Sequence, residues 1–568
     1  MVTLYISVYS ESGCIQRGRG TTMKTIAWSA AASAALVVLS AGAAYAADMD
    51  TMVTKAPPPA ATAPASCGSL YDFIGTACPL SWYGVTFFGT VDIGGAYETH
   101  GVPFDPNHPT GQLYVLGAGG TNATNRTPGF YLAPNAMSRS EVGVKIIEPI
   151  APGGWSFVAQ AGLAFDPYSG LLSNAPRAEF NSIGVPENQQ SVPYDSSRWG
   201  WLAASNYAGV SSPTFGTLTF GRQNAPETDG INAYDPMGAS YAFSLIGYSG
   251  KTAGAGDTED GRWTTAIKYR VNIGDFRLVA MGQPIGGANG GYNAYNANNG
   301  AVSGGIGADI RQVVPGVISW DVIGTYERDA VNWSTTFPGQ TLVNGSPGGA
   351  NPFPVGGLKA TLSDQTAFMA LAKWNFGSWG NTPPPIVGKA APAPSGPSGI
   401  PLTLYAGYEW IQFANPSDTQ TTSFLDDGFL FQATNAAGST LSSNGTTIAN
   451  NAFNSLCGSG TGCFNEIFQV MWTGAKYGIT KDLDVIGAYY HYIQNTYVNG
   501  VNCSPSTAAS NARCYGWFDM YSAVLDWRFL PKWDTYIGIA YSAAFGGLAN
   551  GDITRNNLST VTGVRFRF

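Results

Sequence analysis

Residues able to make or break bonds are few in this chain. It holds three histidines. His100 and His108 lie amid Pro and Gly, and His491, in "AYYHY", shares the parity of Val485 and Tyr489, so each reads as a surface or interfacial residue rather than a proton carrier. No phosphate loop, nucleophile elbow or clustered metal ligands occur, and neither cofactor nor metal is expected. Seven cysteines are present. Cys14 lies in the N-terminal leader, and the others form close couples: Cys67 with Cys78, Cys457 with Cys463, and Cys503 with Cys514. Without C-x2-C spacing or a nearby His they predict local disulfides in an oxidising compartment, not a zinc site. What the chain does concentrate is charge. Residues 225–261 carry six acids, Glu227, Asp229, Asp235, Asp257, Glu259 and Asp260, against one base, Lys251. Directly after them Arg262, Lys268 and Arg270 alternate with Trp263, Ile267, Tyr269 and Val271.

The elements that carry these residues are strands. Alternation recurs along the chain: Val85, Phe87, Val91, Ile93 and Tyr97 oppose Thr86, Thr90 and Asp92, and Tyr521, Ala523, Leu525, Trp527 and Phe529 oppose Ser522, Asp526 and Arg528. The terminus "TGVRFRF" puts Val564, Phe566 and Phe568 on one face and Arg565 and Arg567 on the other. Sixteen such segments, from 83–97 to 558–568, have about the 9–11 residues a tilted strand needs to cross a bilayer. Their connections alternate between long and short, "PIAPG" (149–153), "VSSPT" (210–214) and "ITKD" (479–482) being short. The Pro/Gly-rich 377–400 is the exception and reads as an extended periplasmic excursion. Only 11% of the residues are charged, against about 25% in a soluble protein. These features predict an all-β, transmembrane antiparallel barrel of about sixteen strands. An arginine on the lipid face costs roughly 2–4 kcal/mol at mid-membrane, so charge parity marks the lumen. A ring this wide encloses water. Room for two further strands exists in 98–137 or 414–465.

Upstream, Met23 and Lys24 precede "IAWSAAASAALVVLSAGAAYA", which ends at the small-x-small site Ala44-Tyr45-Ala46. Residues 1–46 read as a signal peptide, with translation starting at Met23. Residues 47–81 read as a Pro-rich periplasmic tether carrying Cys67 and Cys78, and 82–568 as the barrel. Of 28 basic and 36 acidic residues, the leader holds Arg17, Arg19, Lys24 and Glu11, which leaves 25 against 35, net −10. Nucleic acid is excluded as a partner, and no later run is apolar enough for a membrane helix.

The stretches "CGSLYDFIGTACPLSWYGVTFFGTVDIG" (67–94), "GRQN" (221–224) with "DGINAYDPMGASYAFS", and "YAGYEWIQFANPSD" (405–418), with the terminal Phe, resemble the alphaproteobacterial branch of Gram-negative outer-membrane porins. The resemblance implies a homotrimer, set in outer-membrane lipid and lipopolysaccharide, for passive diffusion of ions and small hydrophilic solutes. It implies that Phe566 and Phe568 are the signal read by the barrel assembly machinery. It also implies that the third external loop, here 224–261, folds into the lumen, although the Pro-Glu-Phe-Gly-Gly run of enterobacterial porins is missing. Glu227, Asp229, Asp235, Asp257 and Asp260 would then face Arg222, Arg262, Lys268 and Arg270 across the pore, with Asp229 and Asp235 favouring cations. Two rival functions are a substrate-specific channel, for sugars for example, and an outer-membrane enzyme barrel. The aromatics that would stack sugars sit at strand ends, where interfacial girdles belong.

Overall fold

A computed structural model describes residues 67–100, 128–151, 153–168, 170, 204–247, 262–283, 300–310, 316–333, 358–377, 400–414, 465–497, 503, 514–547 and 556–568. Its strands are β1 (Leu80–Trp82), β2 (Val85–Glu98), β3 (Gly129–Leu132), β4 (Glu141–Ala151), β5 (Trp155–Ala164) and β6 (Asn206–Ser212). β7 (Gly216–Asn224), β8 (Arg262–Ile273), β9 (Phe276–Gln283), β10 (Gly300–Ile310), β11 (Val317–Trp333) and β12 (Leu358–Asn375) follow. The last are β13 (Leu402–Ala414), β14 (Glu466–Gly478), β15 (Leu483–Gln494), β16 (Gly516–Leu530), β17 (Trp533–Gly546) and β18 (Asn556–Arg567). Two helices complete the set, α1 (Leu70–Gly75) and α2 (Pro226–Tyr234).

All eighteen strands belong to one sheet. β2 pairs with β4, each later strand pairs antiparallel with the next, and β18 returns to β2 from Arg567↔Thr90 to Ser559↔Glu98. The ring therefore has sixteen members, with β1 and β3 as short additions on β2. Closure follows from the solvent: hydrocarbon offers backbone groups no partner, so a membrane sheet can leave no edge. β3 falls within 98–137 and adds nothing to the ring.

Parity sorts side chains as expected over most of the wall. Phe87, Ile93, Phe368, Tyr521, Leu525, Trp527, Ile537 and Leu558 are exposed on the outside, an apolar band that a bilayer must cover. Two expectations are corrected. The turn expected at 210–214 is displaced, because β6 continues to Ser212 and the chain turns at 213–215, while residues 198–203 of the segment expected at 198–209 lie outside the described residues. Pro213, which has no N–H to donate, ends the ladder there, and Gly216 takes a left-handed conformation (φ 82°). Trp263, expected on the lipid side with Ile267, is buried against Ala225, Ala266, Met281 and Ala301. In β8 Thr264 and Thr265 together oppose Arg222, between the pairs Gly221↔Ala266 and Gln223↔Trp263, so a bulge reverses the parity of everything before it.

At the rim that carries the short turns, residues 67–82 are clipped to the C-terminal strand. The Cys67–Cys78 disulfide closes an eleven-residue separation around α1, whose N-cap Ser69 accepts from the Asp72 amide. From α1 Phe73 meets Phe566 and Phe568 edge-on, at 5.7 and 5.2 Å between centroids. Lys532 Nζ lies 4.4 Å over the Phe73 ring and donates to Phe73 O and Cys78 O, and Trp533 Nε1 donates to Ile74 O. After α1, β1 turns through Tyr83 and Gly84, both at positive φ, into β2. β1 pairs with Val85–Phe87 just below Gly89, where the ladder of β18 ends with the two Phe568 backbone bonds. The closing seam is thus continued by β1 along the same edge of β2. Breaking the disulfide with Cys67→Ser/Cys78→Ser should weaken the seam by about 2–3 kcal/mol. The check is the temperature at which the compact electrophoretic band converts to the unfolded one, which should fall; an unchanged temperature would mean the clip bears no load.

Candidate pore constriction

Residues 225–247 leave β7 and run along the inner wall. Pro226 opens α2 with its fixed φ, and Glu227 and Asp229 occupy the first turn, where a helix favours acids. Asp229 accepts from Lys268 Nζ and Arg270 Nη2, and from Asn224 Nδ2 at 3.1 Å. Lys268, only 3% exposed, also donates to Asn224 O at 2.7 Å. The acid and the bases expected to face one another across water are therefore joined directly.

Glu227 is 1% exposed and accepts from Ser303 Oγ at 2.9 Å, which in turn accepts from Thr325. Burial pushes its carboxyl up to about 7, against the opposing pull of the Ser303 bond and Lys268. One turn on, Gly230 lets the helix touch the wall: a Cβ there would lie 2.6 Å from Leu371 and 3.1 Å from Ile323. At the other helix end Tyr234 donates to Asp321, which also accepts from Arg277, itself bonded to Asp309. Lys373 Nζ reaches Ala233 O, complementing the helix C-terminus, and Trp472 Nε1 reaches Tyr234 O.

Asp235 is equally occupied. It is buried, accepts from the Met237 and Ala239 amides and from Tyr490 Oη at 2.6 Å, and so holds the left-handed turn at Gly238 and Ala239. Beyond the turn Phe243 meets Tyr536 edge-on, and its carbonyl accepts from Ser522 Oγ. The segment therefore follows the inner face from β7 to β17. This explains why Met369, Phe468, Val470, Met520 and Val524, on the inward parity, are apolar and buried with Ile231 and Phe243.

Among the described residues, inward charges left partly exposed include Arg139, Glu141, Asp229, Arg270, Arg277 and Asp321, with Lys476 and Arg528 nearer the short turns. Arg222 donates to Arg262 O, and Arg262 lies within electrostatic reach of Arg139 and Arg222. The predicted disulfides Cys67–Cys78 and Cys503–Cys514 are formed. The third expected link joins Cys457 and Cys463, which lie outside the described residues. Asp257, Asp260 and His108 lie outside them as well. His491 bonds Asp519 on the outer face beside Tyr489, an interfacial place, and His100 bonds Asn556 O. Sequence reasoning missed Arg139, Arg277, Asp309 and Asp321, whose only signal was inward parity.

A family model described as Gram-negative porin matches residues 30–379. The chain belongs to the Gram-negative porins. Three solved structures illustrate the likeness. An anion-selective porin from Comamonas acidovorans is 14% identical, TM-score 0.47, over 85% of this chain and 99% of its own. OmpT, an outer membrane protein of Vibrio cholerae, is 11% identical, TM-score 0.44, over 86% and 99%. The outer membrane channel DcaP of Acinetobacter baumannii is 9% identical, TM-score 0.44, over 85% and 97%. None of these three scores reaches 0.5, and the barrel here rests on its own strand register. No curated protein sequence matches the chain. This porin is a passive-diffusion channel of the Gram-negative outer membrane, a channel rather than an enzyme.

Asp229→Asn should remove the acid that Lys268 and Arg270 share. The reversal potential in a salt gradient should move toward anions, and the move should shrink as salt shortens the screening length from about 10 Å at 0.1 M. An unmoved potential would take Asp229 off the ion path. Burial of Glu227 also predicts a pH dependence of loop docking. A carboxyl raised from 4.5 to about 7 binds its proton more tightly folded than unfolded, so its stabilising share is complete below about 4.5 and is lost as pH rises through about 7. Denaturation followed from pH 5 to 8 should show that decline, and Glu227→Gln should make it shallower.

Proposed function

We propose that this chain is a general-diffusion porin of the alphaproteobacterial branch, working as a homotrimer, with residues 225–247 narrowing the lumen for ions and small hydrophilic solutes. The observation that carries the reading is Asp229 set between Lys268 and Arg270. A loop acid neutralised by wall bases leaves a narrow, charged and nearly balanced passage, which discriminates by size and only weakly by sign. Glu227 and Asp235, buried and hydrogen-bonded, serve the loop's attachment. The cation preference expected from the acid count is accordingly replaced by weak selectivity. No catalytic step belongs to the function, and the inward charges form ion pairs rather than an acid-base pair aimed at a bound group.

The remaining parts of the reading are a signal peptide at 1–46, a periplasmic tether at 47–81, recognition of Phe566 and Phe568 by the assembly machinery, and lipopolysaccharide around the outer rim. The outward rings of Phe566 and Phe568 support the third. Purified protein in planar bilayers should give steps whose conductance rises linearly with salt, with a reversal potential near zero in a salt gradient. Conductance that saturates, or that a sugar blocks at low concentration, would favour a substrate-specific channel. A silent, fully folded barrel would overturn the reading.

A further inference from the structure

The lumenal segment is fastened at its far end as well, by a part of the chain that belongs to the first external connection. Residues 133–140, just before β4, turn inward and are buried: Ala133, Asn135, Ala136, Met137 and Ser140 are each 4% exposed or less. Their anchor is Asp92 on β2, itself fully buried. Its Oδ2 accepts from the Met137 and Ser138 amides, both at 2.8 Å, and its Oδ1 from Tyr536 Oη at 2.6 Å. Its backbone joins in, the amide donating to Ser140 Oγ and the carbonyl accepting from the Asn135 amide. Asn135, at φ 61°, ties the turn with its own Oδ1, which accepts from the Ser140 amide at 2.8 Å. At the inner tip Ala136 O accepts twice from the lumenal segment, from the Ala242 amide at 2.9 Å and from Ser240 Oγ at 2.8 Å. A carbonyl has two lone pairs, and both are used.

We propose that residues 133–140 are a strut that holds the lumenal segment in place, and that Asp92 is its positioning residue. The inference rests on the reading that 225–247 narrow the pore. Fixed at one end through Asp229 and at the other through Ala136, the segment is a bar tied at both ends rather than a flap hinged at one. The strut also decides where Arg139 enters the passage, since that residue directly follows Ser138. Asp92 touches no solute. It acts through the two amides that it gathers and the tyrosine that it orients. Asp92→Asn replaces one acceptor oxygen with an N–H donor, so the two amides and the Tyr536 hydroxyl can no longer all be held, and the support under the end of the lumenal segment that rests on Ala136 is weakened.

The test is single-channel recording on the assembled full-length protein carrying Asp92→Asn, with Tyr536→Phe as the milder second variant. Asp92→Asn should raise the frequency of brief closures about tenfold, the scale expected for losing one or two such bonds. The barrel's heat resistance in electrophoresis should stay close to that of the unaltered protein. An oxidised cross-link from Ala136→Cys/Ala242→Cys, added to Asp92→Asn, should restore steady conductance, and a thiol reductant should bring the closures back, with the reductant on Asp92→Asn alone as control. A merely destabilising substitution would not be rescued by one bond inside the lumen. Quiet traces from an intact Asp92→Asn barrel, or closures that the cross-link leaves unchanged, overturn the proposal. Where Asp92→Asn does not assemble, the cross-link in the otherwise unaltered chain decides: conductance should be the same oxidised and reduced, and a change on oxidation overturns the strut. Failure of the unaltered protein to conduct would instead sink the channel reading itself.

Discussion

Every feature of this protein answers to one constraint: within hydrocarbon, a backbone N–H or C=O has no partner except another strand. β18 must therefore find β2, and the bonds from Arg567↔Thr90 to Ser559↔Glu98 are the consequence. The requirement is most exposed at the terminus, where the chain runs out before the wall does. Phe568 exchanges its last two backbone bonds with Gly89, and β1 continues along the same edge of β2. The ring of Phe568 lies over Gly89, a place a side chain would fill, since a Cβ there would come within 2.5 Å of the ring. Closure is reinforced at this corner because α1, braced by the local Cys67–Cys78 disulfide, packs its Phe73 ring on Phe566 and Phe568.

A closed ring of sixteen strands is too wide for its own side chains to fill. The solution is asymmetric. From β11 to β17 the inner face carries an apolar patch that includes Ile323, Met369, Leu371, Ile411, Val470, Met520 and Val524, and residues 225–247 pack on it as on an ordinary core. The wet remainder is charged, and its acids and bases are largely in contact with one another. Pairing inside a narrow passage has two effects at once. It removes the penalty of isolated charge near a low-dielectric wall, and it cancels much of the field that unpaired acids would have set.

Legibility in the sequence followed the range of the interactions. The strand segments could be read because alternation is local and the two solvents, lipid and water, differ so much that even short runs declare their parity. Trp263 shows the limit of that logic: one bulge residue in β8 reverses the face, and nothing in "GRWTTAIKYRV" marks where it falls. The Phe518, Met520 and Val524 positions show another. Their parity was legible, but an apolar inward face has meaning only once the lumenal segment lies against it.

For the candidate site the division is sharper. The sequence by itself determined that the chain closes into a membrane barrel, which parity carries its charges, and that acids precede a strand of inward bases. These follow from spacing of 2 residues per repeat and from the cost of charge in lipid. Tertiary structure alone decided what those acids do. Asp229, Glu227 and Asp235 lie within nine residues of one another and look alike in the sequence, yet one joins Lys268 and Arg270, one is buried against Ser303, and one ties a turn to Tyr490. Their partners come from β8, β10 and β15, strands brought together by closure, and a carboxylate's role is set by the donors and the water that reach it, which no local pattern encodes.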